Sequence, residues 1–230
     1  MKNKNEVIVV GTIHSQHLGS EKYSLKVFAD IIKNLNPDVV LAEIPPDRFL
    51  IADEQFQRLG KIDEPRVLQY PEFSKVIFPL QKTLGFSLKP VSAWTEEMAN
   101  ARENRLEEIK ADKNKAKDWE IYMEARQLSG KLFENYMKEF DPVKIHSDEF
   151  DRILNIELQV FSDLFNDDLG KGGWENINQA HYEKIDSELN EIINQKKRVL
   201  VIFGSGHKGW LVKKLQSRTD IVLKNLLDVI

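Results

Sequence analysis

The chain has 230 residues, with 33 basic against 37 acidic side chains and a formal net charge of −4. That length suits one sizeable α/β domain, or such a domain with an inserted lid. The mixed, slightly acidic charge argues against a nucleic-acid binder, which should show a basic face, and the absence of cysteine excludes disulfides, thiol nucleophiles and cysteine-based zinc or iron–sulfur sites.

Residues 1–6 are partly basic but lead into no apolar h-region, and no apolar run is long enough to span a bilayer. A cytoplasmic location without membrane contact is therefore expected. Residues 7–10, all Val or Ile, read as a first strand that runs into Gly11-Thr12-Ile13-His14. Leu25, Phe28, Ala29, Ile32 and Leu35 then recur at a helical period, predicting a helix over about 21–34 with Ser20 as its N-cap. Asn36-Pro37-Asp38 stops it. Residues 39–42 form a second continuous apolar run that ends at Glu43. This βαβ unit should hold its strands parallel with a right-handed crossover, so His14 and Glu43 fall just past strand ends on one side of the sheet.

Pro45-Pro46 breaks the chain, and Asp47 is placed to cap a helix containing Arg48, Phe49 and Ile51. Residues 86–91 give a third strand, weakened by Lys89-Pro90. From 95 to about 128 the chain is rich in strong helix formers, and further helices are predicted at 131–140, 148–165 and 176–195. Strand returns at 198–203, ending in Gly204-Ser205-Gly206-His207, followed by helix at 208–216 and a last strand at 220–223. The short basic runs 196–198 and 213–214 flank elements and read as solvated surface. The whole predicts a single three-layer α/β domain over 1–230, with a mainly parallel sheet and a helical insertion over roughly 95–195.

Gly-x-x-His thus occurs twice, each time after a buried strand and before a helix. Gly11, Gly204 and Gly206 stand at sharp turns, where a missing Cβ permits unusual φ or close backbone approach. Each histidine taken alone is open to a bland reading, as a satisfied core or rim residue. The shared local grammar favours function, and at the N-terminus of a helix the dipole keeps His207 neutral, the form a metal ion or a general base needs. Glu43 has two readings: a structural partner for Arg48, five residues on, or a metal ligand or base with Arg48 stabilising negative charge. His17, three residues after His14, reads as surface or a supporting position. His181 and Tyr182 precede the last motif and could support it, although a packed or solvated position is the favoured reading. His146, beside Asp148 and Glu149, reads as surface. Trp94 and Trp174 could line a pocket, and Trp119 reads as packing. Gly204-Ser205-Gly206-His207-Lys208-Gly209 also fits the dinucleotide fingerprint, but the chain ends at Ile230, too soon for the rest of such a domain.

Three segments together resemble the TraB/Tiki superfamily, which includes erythromycin-esterase-like and ChaN-like proteins. VIVVGTIHS is similar to the family's first Gly-x-x-His. VVLAEIPPDRF is similar to its strand-end glutamate with a following arginine, here Glu43 and Arg48. VLVIFGSGHKGWLVKKL is similar to the second Gly-x-x-His. The middle of the chain shows no match, and the membrane helices or signal peptides of many members have no counterpart. The resemblance implies an α/β fold with both histidines and the glutamate lining one cleft. Tiki-like members use it for metal-dependent proteolysis with manganese or cobalt, erythromycin-esterase-like members for ester hydrolysis without metal, and ChaN-like members to bind haem. A hydrolase follows as the leading expectation, with His14, Glu43 and His207 holding manganese, cobalt or zinc and a small-molecule or peptide substrate. Its metal-free variant has His14 as general base oriented by Glu43. A non-catalytic binder of haem or peptide is the alternative.

Overall fold

In the computed structural model, which describes residues 3–230, five strands form one sheet: β1 (Asn5–Thr12), β2 (Val39–Ala42), β3 (Ser87–Pro90), β4 (Arg198–Gly204) and β5 (Ile221–Lys224). Met1 and Lys2, the start of the segment expected to lack an h-region, lie outside the described residues. The strand order is β3-β2-β4-β1-β5 and every pairing is parallel. Ten α-helices are seen among the described residues: α1 (Leu25–Leu35), α2 (Pro46–Leu59), α3 (Pro65–Leu68), α4 (Phe78–Leu84), α5 (Glu96–Ala111), α6 (Ala116–Tyr136), α7 (Pro142–Ile145), α8 (Asp148–Phe165), α9 (Trp174–Glu191) and α10 (Ser205–Leu215).

The central strands are apolar at consecutive positions because both faces of the sheet are covered. Alternate residues serve opposite cores. Ile8, Val10, Val40, Ala42, Leu200 and Ile202 pack with Phe28, Ile32 and Leu35 of α1. On the other face Val7, Val9, Leu41, Val201 and Phe203 pack with Ile185 and Leu189 of α9 and with Leu211 and Leu215 of α10. The predicted three-layer α/β architecture with a parallel sheet is therefore present. Between β3 and β4 the helices add a small core of their own, with Ile109, Tyr122, Phe161, Phe165 and Leu169 from the α5, α6 and α8 region.

β1 and β2 are parallel as expected, yet they are not neighbours, because β4 lies between them. Gly11 is opposite Phe203 and Thr12 opposite Gly204. The two Gly-x-x-His segments therefore leave adjacent strands. α1 follows β1 on one face and α10 follows β4 on the other. Adjacent strands whose connections depart to opposite faces open a crevice at their carboxyl ends, the usual ligand position of such sheets.

Some boundaries move. The first helix begins at Leu25, capped by Ser24, whose hydroxyl accepts the Val27 N–H. The Ser20 hydroxyl instead accepts the Tyr23 N–H in a turn. The delay is explained by residues His14–Leu18, which form a 3₁₀ turn of their own. α2 starts at Pro46 behind Pro45, so Asp47 lies in its first turn and does not cap it. Of the helix expected at 131–140, the residues up to Tyr136 are the end of α6 and the remainder is not helical.

Candidate functional site

The site is built at the β1/β4 crevice from three strand ends and one helix. His14 follows β1 in the left-handed region, at φ 50°, an arrangement that costs energy in a non-glycine residue and is kept only where its surroundings enforce it. His17 enforces it. Its Nε2 accepts the Ile13 N–H at 3.2 Å, and its Nδ1 donates to the Tyr23 carbonyl at 2.6 Å. With both ring nitrogens occupied and only 1 % exposed, His17 is a staple beneath the turn and not a surface residue.

The His14 Nδ1 lies 2.7 Å from Oε1 of Glu72, a fully buried carboxylate. An Nδ1–H donated to that carboxylate leaves the Nε2 lone pair free. Burial works against a charge on His14, but the hydrogen bond and charge of Glu72, with Glu43 adding, hold its pKa above the usual value. Tyr70 packs edge-on to the same ring at 4.7 Å.

Glu43 ends β2 and is buried. Its Oε2 accepts the Gly204 N–H at 2.7 Å, and its Oε1 lies 3.8 Å from Nε2 of His207. Burial pushes this carboxyl up to about 7, against the opposing pull of His14 and of the Gly204 N–H, while the charge of Glu72 adds to the rise. His207 lies in the first turn of α10. Its Nδ1 donates to Oδ1 of Asn178 at 2.7 Å, and Trp174 stacks on its ring at 4.8 Å. Burial and the charge of His14 bring its pKa down to about 4. It is therefore neutral near pH 7 with its Nε2 lone pair directed at Glu43.

His181, on α9, joins this group. Glu43, His181 and His207 each place one potential ligand atom within 4.8 Å of the other two, so that by position this buried group could hold a metal ion. The hydrogen bonds separate the three chemically. Nδ1 of His181 receives the Ala93 N–H at 2.9 Å, so the proton of its neutral ring sits on Nε2. That Nε2 is buried without a partner. Burial, with the charges of His207 and Lys184, takes its pKa down to about 2.

The glycines act by close approach. Neither Gly11 nor Gly204 has a positive φ. A Cβ on Gly204 would stand 2.5 Å from Nε2 of His14 and 3.5 Å from Oε2 of Glu43, so the tips of both side chains border this residue. A Cβ on Gly11 would meet Ser205 Cα at 3.2 Å and both Ile145 and Lys208 at 3.3 Å. Gly206 does not share the requirement, since a Cβ there would make only ordinary contact with Trp174. It sits inside the first turn of α10.

Other residues depart from expectation. Arg48 is not paired with Glu43. It meets Glu96 at 2.6 Å, Asp47 at 3.2 Å and Glu64 at 3.7 Å. Tyr182 turns away from the site and packs against Trp210, as expected for a residue one position round the helix from His181. Trp94 reaches the edge of His181 at 6.5 Å, whereas Trp119 packs with Tyr122 and Phe165. His146 is 3 % exposed and not at the surface. Its Nε2 accepts the Gly11 N–H at 2.9 Å and its Nδ1 donates to the Pro142 carbonyl at 2.7 Å.

Glu72 and Asn178 were not singled out from sequence, and His146 was read there as surface. Asn178 had a usable signal, because it lies three residues before His181 on one helix and so on the same face. Glu72 had none, since it precedes a short π-helical turn, Phe73–Ile77, with no clear period. No helix among the described residues is long and apolar enough to cross a membrane. No family model, curated protein or solved structure matches the chain.

Proposed function

We propose that the chain is a hydrolase of the TraB/Tiki type that cleaves a peptide or ester bond with the aid of one divalent metal ion held by His14, Glu43 and His207. One observation carries this reading. Two imidazoles each donate Nδ1–H to a side-chain oxygen; Nε2 of His207 lies 3.8 Å from the buried Glu43 carboxylate, and Nε2 of His14 and Oε2 of Glu43 both border Gly204. Metal-binding histidines have this build, because the outer hydrogen bond fixes the tautomer and raises the basicity of the ligating nitrogen. Two nitrogens and one oxygen without sulfur suit manganese, cobalt or zinc and leave coordination positions open. When bound, such an ion supplies Lewis acidity toward a carbonyl and acidifies a water. Glu72 and Asn178 orient the two imidazoles, and Trp174 covers one face of the His207 ring.

The pair His14–Glu72 also supports a metal-free version. Nε2 of His14 would take a proton from water, and the Glu72 carboxylate at 2.7 Å would stabilise the imidazolium. The orienting carboxylate in this version is Glu72, not Glu43.

Elemental analysis, followed by metal titration of chelator-stripped protein against a panel of esters and peptides, tests the proposal. The expected result is one ion per chain and restored hydrolysis. Affinity should rise with pH by about tenfold per unit for each competing proton, the one on Glu43 being lost at about pH 7 and the one on His14 above the usual imidazole value. Hydrolysis undiminished by chelation would replace the metal version by the His14–Glu72 pair. Haem or peptide bound without turnover would favour a binding protein, and neither an ion nor hydrolysis would overturn the proposal.

A further inference from the structure

We propose that His181 is the hydrogen-bond donor for the oxygen that gains negative charge during hydrolysis, and that it is not a metal ligand. This rests on the hydrolase reading and assigns a role within it that Arg48 was expected to fill. Arg48 is held by Asp47, Glu64 and Glu96, and so cannot offer its guanidinium to the crevice without leaving three carboxylates.

The argument is one of donors and acceptors. A backbone N–H can only donate, so the 2.9 Å bond from Ala93 to Nδ1 of His181 makes that nitrogen the acceptor. The ring proton is therefore on Nε2. A nitrogen that bears a proton has no lone pair for a metal, however near the other ligands it lies. The contrast with its neighbours is direct: His207 presents a bare Nε2 because its Nδ1 donates, and His14 does so once its imidazolium has lost a proton. His181 presents the reverse tautomer, within 4.8 Å of ligand atoms on both Glu43 and His207. It is fully buried, and its Nε2 has no partner. A buried donor left unpaired costs free energy, and an oxygen acquiring charge at this site would supply the missing acceptor. A neutral imidazole fixed in advance has nothing to reorganise as that charge develops, which is how oxyanion donors work. Trp94 on one side and Phe203 on the other hold the ring.

Two measurements test this. In ¹⁵N-labelled, metal-free protein, the His181 ring should show a proton on Nε2 and none on Nδ1, the opposite of the neutral His207. A proton on Nδ1 overturns the inference, and this arm is independent of any activity. The second uses His181→Phe, which removes the donor, and His181→Gln, which keeps an acceptor for Ala93 and a donor beyond it. Manganese affinity should change less than about threefold in both, whereas the loss of an outright ligand should weaken it by at least the roughly 10–100-fold seen even for outer-shell partners. For the panel substrate cleaved fastest, kcat should fall about 10²–10³-fold in His181→Phe with KM little changed, and His181→Gln should recover part of it. Loss of manganese binding in His181→Gln, or unchanged kcat in His181→Phe, overturns the inference. If wild-type protein neither binds manganese nor hydrolyses the panel, the hydrolase reading fails and this role falls with it. The ring tautomer then tells that failure from a mistaken assignment of His181.

Discussion

The two Gly-x-x-His segments share their letters and differ in nearly everything built from them. In the first, Gly11 is still inside β1, and His14 stands in a 3₁₀ turn with left-handed backbone. In the second, Gly204 closes β4 and His207 lies in the first turn of a regular helix. The partners differ too. The Gly11 N–H is received by a neutral histidine, His146, and the Gly204 N–H by a carboxylate, Glu43. The His14 ring is held by the anion Glu72, whereas His207 is held by the neutral amide of Asn178. One ring has its pKa raised, by Glu72 and Glu43 against the effect of burial, and the other has it lowered, by burial and the charge of His14. A repeated motif places the same atom type at neighbouring positions, but the environment decides its charge.

The sharpest way to break the symmetry is to add one methyl group at each glycine. In Gly204→Ala the new Cβ collides with the ring tip of His14, which can swing away. Hydrolysis should fall by at least about 100-fold, because a displacement near 1 Å of a reacting group has that effect. Stability should fall by about 1–3 kcal/mol as well, because the swing parts His14 from the buried Glu72 carboxylate, so activity is what separates the two positions. In Gly11→Ala the nearest atom is backbone, Ser205 Cα, which cannot yield. Overpacking of that kind costs about 1–3 kcal/mol, with activity largely kept. Urea melts beside initial rates would check the pair, and equal losses of activity at the two positions would remove the distinction.

The same contrast marks what sequence could reveal. The strands around 7–10, 39–42 and 198–203 were legible, because strands covered on both faces must be apolar throughout. The parallel sheet and the long helices of the middle followed from period and propensity. The intercalation of β4 between β1 and β2 was not legible, since local pattern says nothing of strand order. His14, Glu43 and His207 could be read as candidates because glycine and strand end mark their positions. Glu72, which raises the His14 pKa, and His146, which receives the Gly11 N–H, could not be placed. Glu72 and His146 act through contacts 58 and 135 residues away in sequence. His146 was also masked by its acidic neighbours. Asp148 and Glu149 sit in the first turn of α8, where acids suit the helix dipole, while the histidine before them turns inward.

His146 gives the next test, through pH. Burial and the nearby Lys208 charge lower its pKa to about 3, despite the opposing bond to the Pro142 carbonyl. Its folded pKa is depressed below the usual imidazole value of 6.5. The stability it contributes is therefore complete above pH 6.5 and is lost as pH falls from there toward 3. In that window the unfolded chain binds the extra proton, so each such histidine steepens the acid limb by up to about 1.4 kcal/mol per pH unit. His181 and His207, depressed to about 2 and 4, act in the same sense. Glu43, raised to about 7, acts oppositely, costing stability as pH rises from about 4.5 to 7. His146→Gln can still accept the Gly11 N–H. It should flatten the stability–pH profile between pH 6.5 and 4 by about one proton, without abolishing hydrolysis. An unchanged slope would mean that His146 is not held neutral at Gly11.

Arg48 should give the smallest effect, and it bears on the comparison because sequence tied it to Glu43 as part of the same site. Its partners lie elsewhere, and Asp47 and Glu96, two of the three, are exposed. Ion pairs of that kind are worth about 0.2–1 kcal/mol. The third partner, Glu64, is buried, but its Oε2 already accepts the Val67 N–H at 2.7 Å, so losing the arginine does not leave that carboxylate without a hydrogen bond. Arg48→Gln should therefore lower stability by less than about 1 kcal/mol and leave kcat/KM within about threefold, the range of an ordinary surface change. Removal of a true oxyanion donor costs about 10²–10³-fold. A loss of that size in Arg48→Gln, with His181→Phe unaffected, would return the charge-stabilising role to the arginine and reduce His181 to packing.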